Sequence, residues 1–255
     1  QTRSDIARML RADLVLWNGL YLEAQLQEFL LDLGTRRTVV AVAETGVPAE
    51  RLLAHDDYAG KRDPHVWMDP RLWAHVVRRV ADVLSDADPE GRADYEAGRA
   101  AYLAELDRLA DYADDVLASV PEGARVLLTA HDAFNYFGRA YGYEVIGIQG
   151  ISTESEAGLR RVEELVDLIV SRGVGAVFVE SSVSDRNVRA LVEGAAARGH
   201  EVRIGGELFS DAMGPPGTYE GTYVGMIDHN ATTIARALGG TAPERGMAGK
   251  LAAGS

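Results

Sequence analysis

The stretch 88-DPEGRADYEAGRAAYLAELDRLADYADDVLASVP-121 decides how this chain is organised. Its apolar residues recur at spacings of three and four, which is the pattern of one stripe along an α-helix. They are Tyr102, Leu106, Leu109, Ala113, Val116 and Val120. Asp88 can cap the first turn, Pro89 suits the first helical position, and Pro121 ends the run. The spacing predicts a single helix over residues 88–121, a rod of about 45 Å.

A rod of this length is longer than one small lobe needs, so we interpret it as a strut between two lobes. The predicted division is an amino-terminal lobe at 1–88, a linking helix at 89–121 and a carboxy-terminal lobe at 122–255. The alternative is a long surface helix of one domain.

Composition narrows the classes of partner. The chain has 255 residues, of which 47% are hydrophobic, so it can bury two cores. Its formal net charge of -13 argues against nucleic acid or an anionic membrane surface as the partner and favours a soluble cation. There is no cysteine, which excludes disulfides and thiolate metal sites.

The rest of the pattern alternates strands and helices, as in α/β proteins with mostly parallel sheets. In the first lobe, strands are predicted at 14–17 and 38–43, and these are few for a complete sheet. In the second lobe they are predicted at 125–129, 144–148, 176–179 and 201–204, each followed by a helix. The tail at 239–255, rich in Gly and Ala, is predicted to be a frayed end.

Polar side chains follow three strands of the second lobe. His131, Glu180 and Asp211 come just after the strands at 125–129, 176–179 and 201–204. Ligands of parallel sheets bind beyond the carboxyl ends of the strands, so these residues are site candidates. A lone histidine at a strand end is nevertheless more often structural. In the first lobe, His65 lies in an aromatic loop between two prolines that fix the backbone.

Imidazole nitrogens and a carboxylate oxygen suit borderline divalent ions, namely zinc, manganese or ferrous iron. His55, His75, His200 and His229 are interpreted as surface or packing residues. The chain has no phosphate-binding loop, no Gly-x-Ser-x-Gly elbow and no His-Glu-x-x-His motif.

At these residues the chain resembles the zinc- and manganese-binding solute-binding proteins of ABC importers, most closely the TroA type. The resemblance spans nearly the whole chain. Its motifs are 12-ADLVLWNG-19, 63-DPHVWM-68, 129-TAHDAF-134, 150-GISTESE-156, 178-FVESS-182, 205-GGELFSDAMG-214 and 220-EGTY-223.

The resemblance implies two α/β lobes with mostly parallel sheets, joined by a single long helix, and a metal cleft between the lobes. Position by position, it implies that His65, His131 and Asp211 are metal ligands. The family's first histidine ligand belongs to a segment that would precede Thr2, and we expect that segment and its strand to lie upstream. Manganese-dedicated relatives have Glu at the position of His131, which favours the zinc-or-manganese type. Glu180 is a candidate for holding a ligand imidazole from behind.

The function implied is that of an extracytoplasmic receptor, periplasmic or lipid-anchored, which is a monomer and not an enzyme. It would capture zinc or manganese, with ferrous iron as a third candidate, and pass the ion to an ABC permease. One alternative is a metal-dependent hydrolase, since three protein ligands plus water also describe a catalytic zinc site. Another is a surface adhesin in which the metal is structural.

Overall fold

The computed structural model describes residues 2–55, 59–153 and 157–252. The chain divides into two compact units, Gln1–Glu105 and Leu106–Ser255, and the boundary falls inside one long helix. Every pair of strands in the described ranges is parallel, which confirms the predicted α/β class. Within the same ranges, no helix combines the length and the apolar character needed to cross a bilayer.

The first unit contains one parallel strand pair and its helices. In chain order the elements are α1 (Arg3–Arg11), β1 (Leu14–Trp17), α2 (Gln27–Gly34), β2 (Thr38–Ala41), α3 (Val42–Gly46) and α4 (Pro70–Ala87). The core of the strand pair consists of Val15 on β1 with Leu30 and Leu33 on α2. The predicted strand at 38–43 is too long, because α3 begins at Val42.

The long helix begins later and ends earlier than the sequence predicts. It is α5 (Arg92–Ala118), and a separate 3-10 turn at Pro89–Gly91 precedes it. Asp88 is a cap, but its carboxylate accepts the N–H of Gly91 within this turn. The predicted apolar stripe is confirmed in the second unit, where Leu106, Leu109, Ala113, Val116 and Val120 are all buried.

The second unit alternates strand and helix regularly. Its elements are β3 (Val126–Thr129), α6 (Asn135–Tyr141), β4 (Glu144–Gly147), α7 (Leu159–Arg172), β5 (Ala176–Glu180), α8 (Arg186–Ala197), β6 (Arg203–Leu208) and α9 (Tyr223–Ala237). β3 pairs with β4, β5 pairs with β6, and β3 lies beside β5. The predicted start of α7 at 155 lies outside the described residues. With parallel strands side by side, the carboxyl ends of β3, β5 and β6 lie at one edge.

The interpretation of the tail as a frayed end is wrong for residues 239–252. Leu251 is fully buried, and the N–H of Met247 donates to the carboxylate of Asp228 on α9. The glycines that suggested disorder instead let the backbone turn, since Gly246 and Gly249 have φ of +70° and +68°. Glycine-rich composition here indicates tight turns.

Candidate metal centre

His65 is held by a carboxylate two residues before it in the first unit. Oδ1 of Asp63 accepts the backbone N–H of His65 at 2.9 Å and lies 2.7 Å from Nδ1 of its ring. Both side chains are buried, with exposures of 0% for Asp63 and 2% for His65. Because Asp63 occupies the Nδ1 side, Nε2 is the ring atom that this arrangement presents for coordination.

The loop around His65 is fixed by local structure. A 3-10 turn at Val66–Met68 follows the histidine directly, and the ring of Trp67 meets the imidazole edge-on at a centroid distance of 5.1 Å. Asp69 then caps α4 by accepting the N–H of Arg71 at 2.8 Å. These contacts fix the orientation of the imidazole.

His131 lies just beyond the carboxyl end of β3 in the second unit and is fully buried. Thr129, the last residue of β3, donates its hydroxyl to the carbonyl oxygen of His131 at 2.8 Å. Glu180, the last residue of β5, uses both carboxylate oxygens. Oε1 accepts the backbone N–H of His131 at 2.8 Å, and Oε2 lies 2.6 Å from Nδ1 of the ring. One carboxylate thus contacts both the main chain and the ring of His131.

Asp211 approaches the other side of the same ring. It follows β6, and its Oδ2 lies 3.4 Å from Nε2 of His131. Burial lowers the pKa of His131, but the carboxylates of Asp211 and Glu180 outweigh that effect and raise the pKa to about 10. The position of His131 therefore attracts positive charge, either a proton or a metal ion.

The segment that presents Asp211 is anchored at its start. The side-chain amide of Asn230 on α9 accepts the N–H of Phe209 at 2.9 Å and donates to its carbonyl oxygen at 2.7 Å. The hydroxyls of Ser182 and Ser210 are 3.0 Å apart. Asn230 on α9 and Ser182, which follows β5, thus hold the two residues immediately before Asp211.

Two of the other histidines, predicted as surface or packing residues, have structural contacts. His229 is buried, its Nε2 lies 2.8 Å from the carbonyl oxygen of Glu207, and its ring packs on Phe209 at 4.7 Å. His200 contacts the carbonyl oxygen of Val174, at the amino-terminal side of β5. Packing roles are confirmed for both.

The structure brings together His131, Glu180 and Asp211 in the second unit and pairs His65 with Asp63 in the first. The sequence analysis does not predict the role of Asp63, although this residue begins the motif 63-DPHVWM-68. Its signal was available, because an aspartate two residues before another residue often accepts that residue's N–H. Asn230 lacks such a signal, since its partner lies 21 residues away.

The donor set suits a transition metal. Imidazole nitrogen and carboxylate oxygen bind zinc, manganese and ferrous iron, and a buried carboxylate behind each imidazole is the usual support of a ligating histidine. The sites fit metal capture and present no phosphate-binding loop or strand-to-helix nucleophile within the described residues.

Comparison with protein families also indicates a metal-binding protein. Residues 1–237 match the family model for ZnuA, the periplasmic zinc-uptake complex component A. This chain belongs to that family. Within the ZnuA family, it is 47% identical over 237 residues to the zinc-binding protein TroA of Treponema pallidum (strain Nichols), covering 93% of this chain and 76% of the relative.

Two further ZnuA-family comparisons agree. The chain is 44% identical over 238 residues to the manganese-binding lipoprotein MntA of Bacillus subtilis (strain 168), covering 93% of this chain and 77% of the relative. The solved structure of the periplasmic zinc-binding protein TroA from Treponema pallidum matches with a TM-score of 0.89 and 46% identity. That match covers 93% of this chain and 84% of the solved one. ZnuA-family proteins are metal-binding receptors, so the chain is a binding protein and not an enzyme.

Proposed function

We propose that this chain captures zinc or manganese outside the cytoplasm and delivers the ion to the permease of an ABC importer. His65, His131 and Asp211 are its ligands, contributed by an amino-terminal lobe at 1–88 and a carboxy-terminal lobe at 122–255. Residues 89–121 link the lobes. Glu180 supports His131 from behind as its hydrogen-bonding partner.

The observation that best supports this proposal is the placement of one buried imidazole between two carboxylates. Glu180 lies 2.6 Å from Nδ1 of His131, and Asp211 lies 3.4 Å from Nε2. Burying a charge without a partner is costly, so a pair of carboxylates around an imidazole favours a resident cation. A metal ion on Nε2 would also bind the oxygen of Asp211 and would replace the proton that otherwise occupies the ring.

The ligand set is tested by removing its members one at a time. His65→Ala, His131→Ala and Asp211→Ala should each weaken zinc and manganese binding by more than about 100-fold. Loss of a residue that only supports a metal ligand already costs up to about 100-fold, and loss of the ligand itself should cost more. His200→Ala is the matched control, because His200 contacts Val174 at the other end of β5. Affinity is measured by competition with a coloured chelator, and circular dichroism checks the fold. Equal affinities in all four variants would refute the ligand assignment.

The identity of the cargo is tested on the metal itself. Elemental analysis of protein purified without added metal should find zinc or manganese, and direct competition between the two gives their relative affinity. Removal of the metal should leave the helical circular dichroism signal in place, as in a receptor. Unfolding on removal would instead support the adhesin alternative, in which the metal is structural.

The proposal also names the partners of the receptor. A formal net charge of -13 disfavours nucleic acid, and we propose that the receptor is a monomer that contacts only its permease. Sedimentation equilibrium should give a mass close to 27.5 kDa for this chain. A stable dimer at micromolar concentration would contradict this part of the proposal.

A further inference from the structure

The carboxy-terminal tail docks on the second unit beyond the end of the family match. The match ends at residue 237, the last residue of α9. The chain then contacts the end of α5, where the N–H of Thr241 donates to the hydroxyl of Ser119 at 2.7 Å. It next runs back toward the amino-terminal half of α9. We call residues 245–252 the carboxy-terminal strap.

The strap fastens to a buried carboxylate. Asp228 on α9 is 0% exposed, and its two oxygens each lie 3.0 Å from the backbone nitrogen of Met247, which donates to them. The hydroxyls of Tyr219 and Thr232 donate to the same carboxylate at 3.0 and 3.1 Å. Burial raises the pKa of Asp228 although these donors oppose the effect. A buried carboxylate needs such donors, so the strap supplies part of what stabilises Asp228.

A second set of contacts joins the strap to the segment that presents Asp211. We call residues 209–222 the Asp211 loop. The N–H of Ala252 donates to Oε1 of Glu220 at 2.9 Å, and Leu251 beside it is fully buried. The backbone carbonyl of Glu220 in turn accepts the N–H of Gly214 at 2.8 Å. Gly214 is three residues beyond Asp211, so one continuous chain of contacts runs from the strap to the candidate ligand.

The strap therefore holds the far end of the loop, while Asn230 holds its near end through Phe209. Between these two anchors, Asp211 is partly exposed, with 32% of its side chain accessible. The position of a partly exposed ligand depends on the backbone that carries it, so anchors on that backbone set its geometry.

We infer that the carboxy-terminal strap is a positioning element for Asp211, which sets how long the receptor retains its metal ion. This inference rests on the proposed function, because it assigns the strap a role at the proposed metal site. Releasing the strap removes the hydrogen bond from Ala252 to Glu220, loosens the far end of the Asp211 loop, and speeds loss of the ion. Residues that couple to a site through such contacts change its energetics by amounts that correspond to roughly 3- to 30-fold in a rate or affinity.

Two glycines of the strap supply a matched pair of variants. Gly246 has φ of +70°, and a Cβ added there would overlap a carboxylate oxygen of Asp228 and Cδ1 of Leu251. Gly249 has φ of +68°, and nothing lies within 4 Å of its added Cβ. Both alanine substitutions carry the same backbone strain, but only Gly246→Ala pushes the strap away from Asp228.

The experiment uses the full chain and two measurements. Zinc dissociation is timed by mixing the loaded protein with excess chelator, and hydrogen exchange of the metal-free protein is followed by mass spectrometry. For Gly246→Ala we expect dissociation about 3- to 30-fold faster than in the wild type, with faster exchange over residues 209–222 and unchanged exchange in β3 and β5. Gly249→Ala should match the wild type in both measurements.

A purely structural strap would give a different result. In that case Gly246→Ala would lower stability, but its zinc dissociation and its hydrogen exchange in the Asp211 loop would both equal those of Gly249→Ala. That result would show that the inference is wrong. Should Gly246→Ala fail to fold, Glu220→Ala removes the acceptor of Ala252 and keeps the backbone carbonyl that Gly214 uses, so the same comparison is made with it. If the wild type binds neither zinc nor manganese, the proposed function fails, and exchange in the Asp211 loop alone decides whether the strap restrains it.

Discussion

The pH dependence of metal affinity tests the electrostatics of the candidate centre most directly. The carboxylates of Asp211 and Glu180 raise the pKa of His131 to about 10, against the opposing effect of burial. At pH 7 the metal-free imidazole is therefore protonated, and a metal ion has to displace that proton. Three pH units separate this pKa from pH 7, and each corresponds to about 1.4 kcal/mol, so proton displacement costs about 4 kcal/mol.

The sign of the effect differs between stability and affinity. A histidine whose pKa is raised in the folded state stabilises the metal-free protein fully below its ordinary pKa of about 6.5, and this contribution is lost as the pH rises through about 10. Metal affinity changes in the opposite direction. It should rise about tenfold for each pH unit from pH 6 to pH 9, without the plateau above pH 7 that an ordinary imidazole gives.

Calorimetry supplies the assay. Manganese is titrated into the metal-free protein at pH 8 in two buffers with different heats of ionisation, and the difference in heat counts the protons released. We expect about one proton per ion, whereas an imidazole with a pKa of about 6.5 would release almost none at this pH. Glu180→Gln removes one of the two carboxylates, so its release at pH 8 should be smaller. Release near zero in the wild type, or an affinity that is level above pH 7, would refute the reasoning.

Three substitutions to alanine test the packing and hydrogen bonding of the fold. Asn230→Ala leaves the N–H and carbonyl of Phe209 without their side-chain partner, which at roughly 1–3 kcal/mol each should lower the free energy of unfolding by about 2–6 kcal/mol in urea titrations. Gly225→Ala places a Cβ against the carbonyl oxygen of Tyr219 and should destabilise the fold by more than about 2 kcal/mol in the same assay. A Cβ added at Gly98 on α5 meets nothing within 4 Å, so Gly98→Ala should stabilise the fold by about 0.5–1 kcal/mol. Equal effects of Gly225→Ala and Gly98→Ala on the free energy of unfolding would contradict the packing argument.

The sequence predicted those parts of the fold that are governed by periodicity. Strand β1 lies at 14–17 as expected, and the apolar stripe of α5 is buried, because side-chain spacing reports directly on which face is covered. The same logic placed His131 after β3 and Asp211 after β6, whereas Glu180, expected just after its strand, is the last residue of β5. Parallel strands end at one edge, and the structure brings these three side chains together there.

Features that depend on single hydrogen bonds were not predictable in this way. The start of α5 shifted to Arg92 because Asp88 caps a 3-10 turn, and one residue can cap either arrangement. The docking of the tail depends on Met247 donating a backbone N–H to Asp228, 19 residues earlier. Backbone donors are the same for every residue type except proline, so such a contact leaves no pattern in the sequence.

His65 and His131 are each held by a single carboxylate, but the two carboxylates lie at very different distances along the sequence. In each case one carboxylate binds both the backbone N–H and Nδ1 of the same histidine, so the main chain and the ring are set together. For His65 the carboxylate is two residues away, so both contacts form within a single turn of the loop. For His131 the carboxylate is 49 residues away and arrives only when β5 lies beside β3. Loosening the second unit should therefore release His131 from Glu180 while His65 keeps Asp63, because only the first of these pairs depends on long-range folding.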